Sequence, residues 1–254
     1  MQNTNRRNFL RFASLSALAG VTFPALGDNP APSLSSTEDA CTILFQGDSI
    51  TDAWRRREFY YSNDAPGMGL GYVHQAVSEL LGQYPSRNLR CYNRGVGGDK
   101  VHQLAKRWQD DCLQLQPDVL SILIGVNDFW HTLSHNYKGT VATYEGDFRK
   151  LLDRTKEKLP NVQLIIAEPF VVKGGTAITE KDWFPAFSAY QEAAKKVASD
   201  YQAHFIPLQS IFDQALLEAD VEYWCPDGVH PSLAGNYLMA QAWLKVIHPI
   251  ILKS

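Results

Sequence analysis

Five short β-rich apolar runs, each divided from the next by a longer segment of helical period, constrain this chain more than any other feature. They are TILFQ at 42–46, NLRCYN at 88–93, DVLSILIG at 118–125, VQLIIA at 162–167 and AHFIP at 203–207. Strands alternating with helices imply a parallel sheet with helices on both faces, because each parallel crossover must return over the sheet. The expected fold class is therefore α/β with five parallel strands.

The intervening segments carry the helical signal. Val101, Leu104, Ala105, Trp108, Cys112 and Leu115 recur at helical spacing, as do Val141, Tyr144, Phe148, Leu151, Leu152 and Thr155, and later Leu233, Tyr237, Ala240, Leu244 and Ile247. Each set makes one apolar stripe facing the sheet. Asp99 is the expected N-cap of the first. Further helices are expected over 71–83, 183–200 and 208–219. With 254 residues, 45% of them hydrophobic, the chain can build one core without staples, and 41–254 reads as a single domain.

Residues 1–30 read as an address rather than as part of the fold. Arg6 and Arg7 precede Phe9 and Leu10 and a small-residue apolar run from Ala13 to Val21, the pattern of a twin-arginine export signal. That run is shorter than the ~20 residues needed to span a bilayer, so no stable membrane anchor is expected. Cleavage is placed between Ala25 and Ala31, with 31–40 as a linker; the expected destination is periplasmic or extracellular. A formal net charge of -3 gives no footprint for nucleic acid. Cys41, Cys91, Cys112 and Cys225 lack paired metal spacing and read as free thiols.

Ligands of open α/β sheets bind beyond the carboxyl ends of the strands, near the point where strand order reverses. Three polar tips converge there: Gly47-Asp48-Ser49, Asn93-Arg94-Gly95-Val96-Gly97-Gly98 and Gly125-Val126-Asn127-Asp128. Acyl transfer needs a nucleophile, a base and fixed donors for the oxyanion. Ser49 offers a hydroxyl and a backbone N–H, Gly98 a second N–H and Asn127 a side-chain N–H. Of the seven histidines, His230 stands apart in Asp227-Gly228-Val229-His230-Pro231. A carboxylate three residues before an imidazole, across a turn, can take one ring nitrogen and leave the other for the serine proton. A phosphate cradle at GDSIT is disfavoured by the negative charge of Asp48. The G-x-S-x-G elbow fails because Thr51 fills its last position.

These four blocks, GDS at 47–49, NRGVGG at 93–98, GVND at 125–128 and DGVH at 227–230, resemble the SGNH, or GDSL, hydrolase family in kind and order. The resemblance covers about residues 40–250. It implies a flavodoxin-like three-layer α/β/α sandwich, a triad of Ser49, Asp227 and His230, an oxyanion hole of Ser49, Gly98 and Asn127, and no cofactor. GLGYV at 69–73, RW at 107–108, SILIGVNDFW at 121–130 and DGVHPSLAG at 227–235 look like the acetylxylan and acetylxylooligosaccharide esterases, which remove acetyl groups from sugar hydroxyls; the resemblance implies a small-molecule or oligosaccharide ester as substrate. The GDSL tetrad reads GDSI here, a conservative change. Trp130 and Trp224, each three residues from a site residue, are candidate sugar platforms. Arg55, Arg56 and Arg57 are expected to form a solvated face. The competing readings are a lysophospholipase, thioesterase or arylesterase, a peptidoglycan O-acetylesterase, and a non-catalytic sugar-binding module.

Overall fold

The computed structural model of the protein describes residues 40–252. The expected export signal and all but the last residue of the expected linker lie outside the described residues.

The five apolar runs form five strands: β1 (Thr42–Gly47), β2 (Arg90–Asn93), β3 (Val119–Leu123), β4 (Gln163–Ala167) and β5 (His204–Ile206). All pairs are parallel, in the order β2-β1-β3-β4-β5, the flavodoxin-like order. Between β1 and β2 lie α1 (Ser49–Asp52), α2 (Ala65–Met68) and α3 (Tyr72–Gln83). α4 (Val101–Asp111) joins β2 to β3, and α5 (Val126–Ser134) with α6 (Val141–Lys158) joins β3 to β4. α7 (Glu180–Trp183) and α8 (Ala186–Asp200) lead to β5. α9 (Leu208–Ala215), α10 (Val221–Trp224) and α11 (Leu233–Ile251) follow it.

Crossover handedness distributes these helices. The step from β1 to β2 runs toward one edge of the sheet, whereas the steps to β3, β4 and β5 run toward the other. Right-handed crossovers therefore place α3 on one face and α4, α6 and α8 on the opposite face. Packing agrees: α3 lies against α11, while α4 and α8 both flank α6. The same reversal leaves β1 and β3 adjacent with their connections departing in opposite directions, opening a crevice at their carboxyl ends. Both strands are almost wholly buried. Trp108 anchors the second layer, its Nε1 donating to Thr155 Oγ1 at 2.9 Å; truncating such a buried indole costs about 3–5 kcal/mol.

Four local expectations are corrected. Asp99 does not cap α4; Lys100 holds that position, and the Asp99 carboxylate instead accepts from Arg107 Nε at 2.9 Å. The expected helix 183–200 divides at Pro185, whose ring cannot continue the ladder. The helix expected over 208–219 stops at Ala215. In α11, Leu233 and Tyr237 are 80% and 56% exposed. Asn236 turns inward there, donating from Nδ2 to the carbonyls of Pro231 and Ser232 at 2.9 Å each. The four cysteines are free as expected, and burial pushes the Cys91 and Cys112 thiols up to about 12.

Candidate active site

β1 runs directly into the one-turn helix α1, with Ser49 as its first residue. Asp48 caps that turn, accepting from the Ile50 N–H at 3.0 Å. It is fully buried, which pushes its carboxyl up to about 7. The loop after β2 is drawn against the same turn. Asn93 donates to the carbonyls of Thr51 (2.7 Å) and Met68 (2.9 Å) and accepts from the Gly95 N–H (2.9 Å). The approach is so close that a Cβ on Gly95 would stand 2.4 Å from the Asp52 nitrogen. Gly97 N–H donates to the Asp52 carboxylate at 2.9 Å, which keeps this loop beside Ser49.

Of the three arginines expected on a solvated face, one turns inward. Arg55 is buried with its Nε donating to the Gly95 carbonyl at 2.8 Å, and Arg57 pairs with the Asp52 carboxylate. Arg56 and Arg57 are exposed as expected, Arg56 bonding the exposed Glu58 at 3.0 Å; Arg55 alone is buried. A buried carboxylate and a carbonyl of the loop both need donors, and Arg57 and Arg55 supply them.

Gly98 lies at φ +82° in the same loop. Asn127 stands in the first turn of α5, which begins past Gly125. Its buried Nδ2 gives one hydrogen to the Asp99 carbonyl at 3.3 Å, and an amide nitrogen carries a second. Asp128 accepts from the Val101 N–H at 3.3 Å, fastening the β3 tip to α4. Lys100 Nζ donates to His131 Nδ1 at 2.8 Å. Burial, with Lys100 and His135 nearby, pushes His131 down to about 4, so it is neutral near pH 7 and its remaining nitrogen carries the proton. His131 Cε1 lies 4.0 Å from the position a Gly98 Cβ would take, at the edge of the loop that follows β2.

The fourth block arrives from 181 residues away. His230 Nε2 is 2.9 Å from Ser49 Oγ, and His230 Nδ1 is 2.7 Å from Asp227 Oδ2. The other Asp227 oxygen accepts from the backbone N–H groups of Val229 (2.8 Å) and His230 (2.7 Å). Asp227's hydrogen bond raises the His230 pKa above its ordinary value against the opposing effect of burial. Burial raises the Asp227 pKa, but the hydrogen bonds from His230 and the two amides outweigh it and leave the carboxyl below its ordinary value. The turn is braced from outside: Val172 N–H donates to the Gly228 carbonyl at 2.7 Å, and Ala177 N–H to that of Asp227 at 2.9 Å. Gly228 sits at φ +85°, and a Cβ on Gly175 would fall 2.2 Å from its nitrogen. Two glycines are thus needed for this contact.

Ser49, Asp227 and His230 are therefore brought into one hydrogen-bonded series, with Gly98 and Asn127 on the neighbouring tips. The Trp130 ring lies 6.5 Å from that of His230. Trp224 is built into the support of the turn instead: its indole donates to the Ala215 carbonyl at 2.9 Å, and its own carbonyl accepts from Ser232. The brace at 172–178 was not anticipated, although Gly174-Gly175 is a turn signal that marks it. Asp52 and Arg55 lacked such a signal, because the Gly97 N–H and the Gly95 carbonyl that they bind are distant in sequence.

A parallel sheet with serine, imidazole and carboxylate in series at its switch point has the parts needed for acyl transfer. Residues 45–238 match the GDSL-like Lipase/Acylhydrolase family, and the chain belongs to it. An acetylxylan esterase of Geobacillus stearothermophilus is 32% identical over 213 residues, 81% of this chain and 93% of that protein. Among solved structures, a GDSL-like lipase of Parabacteroides merdae aligns with a TM-score of 0.80 at 51% identity, over 81% of this chain and 94% of that one. The Geobacillus esterase aligns with a TM-score of 0.72 at 30% identity, over 82% and 94%. Its variants described as catalytic mutants replace a serine, an aspartate and a histidine. The present chain is an esterase of this family.

Proposed function

We propose that this esterase removes O-acetyl groups from carbohydrate through an acyl-enzyme on Ser49. The observation that carries the reading is a cavity of about 50 Å³ bordered by Ser49 and His230, with Ile50, Gly71 and Asn236 among its buried walls. A water needs roughly 10–15 Å³ of such space, so the cavity has room for an acetyl group beside Ser49. The relatives described as acetylxylan esterases support the same choice.

In this mechanism His230 Nε2 takes the Ser49 proton as Oγ attacks the acetyl carbon, while Asp227 holds the imidazole in the required tautomer. N–H groups of Ser49, Gly98 and Asn127 receive the oxyanion. His230 then protonates the departing sugar oxygen, leaving acetyl-Ser49. Water attacks that ester, His230 takes its proton, and collapse returns the proton to Ser49 and frees acetate. Trp130, beside His230, and Trp224 are the sugar platforms proposed from sequence; the geometry supports Trp130 more. The Arg6-Arg7 signal supports export to a periplasmic or extracellular site where polysaccharide is met.

Acetate release from acetylated xylan, pectin and peptidoglycan, alongside 4-nitrophenyl esters of increasing chain length, tests the reading. The expected result is release from an acetylated polysaccharide with a steep fall beyond short acyl chains. Preference for long chains, or no release from any acetylated sugar, overturns it.

A further inference from the structure

The mouth of the Ser49 cavity is formed by two large apolar side chains that the catalytic series does not use. Trp54 and Leu70 line the cavity with Ser49, Ala53, Gly71, His230 and Pro231, yet they are 84% and 73% exposed. The cavity walls are buried and its lip is not. Trp54 therefore gains little as core, and its ring lies open beside the catalytic serine.

Its backbone is held in a conformation that a bulky residue rarely adopts. Ala53 and Trp54 lie at φ +42° and +56°, consecutive left-handed positions without a glycine. The surroundings fix both. Leu70 N–H donates to the Ala53 carbonyl at 2.8 Å; on the other side Arg55 N–H donates to the Asp52 carbonyl and its Nε to the Gly95 carbonyl, both at 2.8 Å. The loop that carries Ser49 is thus clamped before and after Trp54. Strain of this kind persists where the structure over-determines it and concentrates at ligand clamps.

From this position, exposure and clamping we infer that Trp54, flanked by Leu70, is a further platform, separate from Trp130, on which a sugar ring of an O-acetylated carbohydrate stacks while its ester lies at Ser49. The inference rests on the carbohydrate reading above. The leaving oxygen must face His230 Nε2 to be protonated, and His230 borders the cavity. With the acetyl group filling the enclosed part, the alcohol emerges at the mouth, between Trp54 and Leu70. A pyranose offers an apolar face ringed by hydroxyls, which suits a rigid exposed indole; an alcohol without a ring would gain little there.

The test compares kcat/KM for acetylated xylotriose with kcat/KM for ethyl acetate in wild type, Trp54→Gly and Trp54→Phe, together with Tm and oligomeric state. The sugar-to-ethyl ratio should fall about five- to ten-fold in Trp54→Gly, chiefly through KM, and recover in large part in Trp54→Phe. Glycine accepts φ +56° without strain, so the Tm of Trp54→Gly should equal or exceed that of wild type. A sugar-active wild type whose ratio does not change in Trp54→Gly overturns the inference and leaves the carbohydrate reading standing. A wild type inactive on every acetylated sugar overturns both. A lower Tm with both substrates slowed alike shows a structural tryptophan, and a changed oligomeric state with an unchanged ratio shows an interface between copies; either result also overturns the inference.

Discussion

Ser49 stands one residue past Asp48 at the end of a buried central strand, whereas Asp227 and His230 stand off the sheet, between α10 and α11. The first half of the site is fixed by buried polar groups. Asn93, Asp52 and Arg55 bind backbone that has no other means of satisfying its hydrogen bonds so close to the core. The second half is fixed by one loop lying against another, through Gly175 and Gly228, and its side chains are more open, at 42% for His230 and 34% for Asp227. The end of the sheet fixes Ser49, while the turn must be held in register with it from outside.

If the halves act as one unit, either loss should be as damaging as both. Ser49→Ala and His230→Ala should each lower kcat on 4-nitrophenyl acetate by about 10⁶, and the double variant should fall no further. All three should keep the wild-type circular dichroism spectrum. Multiplying losses would mean that the two residues act independently, and the geometry at 2.9 Å would have to be read as packing alone.

The orienting carboxylate comes next in size. Asp227→Asn preserves shape but favours the wrong tautomer, so kcat should fall by up to about 10⁴. The pH profile sharpens the point. His230 must be neutral to act, and its hydrogen bond to Asp227 is the largest cause holding its pKa above the ordinary value. The acid limb of kcat/KM should therefore be centred above the reference of about 6.5, higher than histidine chemistry alone suggests. In Asp227→Asn the limb should move to lower pH; a limb that stays in place would assign it to another group.

Asn127 tests the sheet half by itself, since its amide is anchored to the Asp99 carbonyl beside Gly98. Asn127→Ala should lower kcat by roughly 10²–10³ with little change in KM. A pure KM effect would make it a substrate ligand.

The same contrast explains what could be read from the amino-acid order. The strands were legible because each is an apolar run bounded by turn residues, and the tips because they follow directly from strands. The link between Ser49 and His230 was legible only through residue chemistry, a lone D-x-x-H matched to a lone GDS. Packing decided the rest. Arg55 reads as one of three solvated arginines until the fold puts the Gly95 carbonyl beside it. Leu233 and Tyr237 read as core until Asn236 claims the inward face of α11. Asp99 reads as a cap until Arg107 takes its carboxylate. In these three cases a polar partner outcompeted the pattern: a carbonyl 40 residues away for Arg55, and groups within eight residues for Asp99 and Asn236.

The smallest expected effect separates the two aspartates, one in each half. Asp227's carboxyl is held below its ordinary value by the hydrogen bonds it accepts, so its stabilising contribution is present above the unfolded pKa and is lost as pH falls. Asp48 behaves in the opposite sense. Burial pushes its carboxyl up to about 7, whereas in the unfolded chain it ionises near 3.9. Between roughly pH 4 and 7 the unfolded state releases a proton that the folded state retains, so this group destabilises the protein progressively as pH rises through that window. Asp48→Asn keeps an oxygen for the Ile50 N–H and removes the titration. Its Tm should match wild type near pH 4 and exceed it at pH 8 by several degrees, the direction set by the raised carboxyl pKa. If the difference is the same at both pH values, Asp48 is not the buried acid described, and the nucleophile's half of the site would carry no more electrostatic strain than the turn.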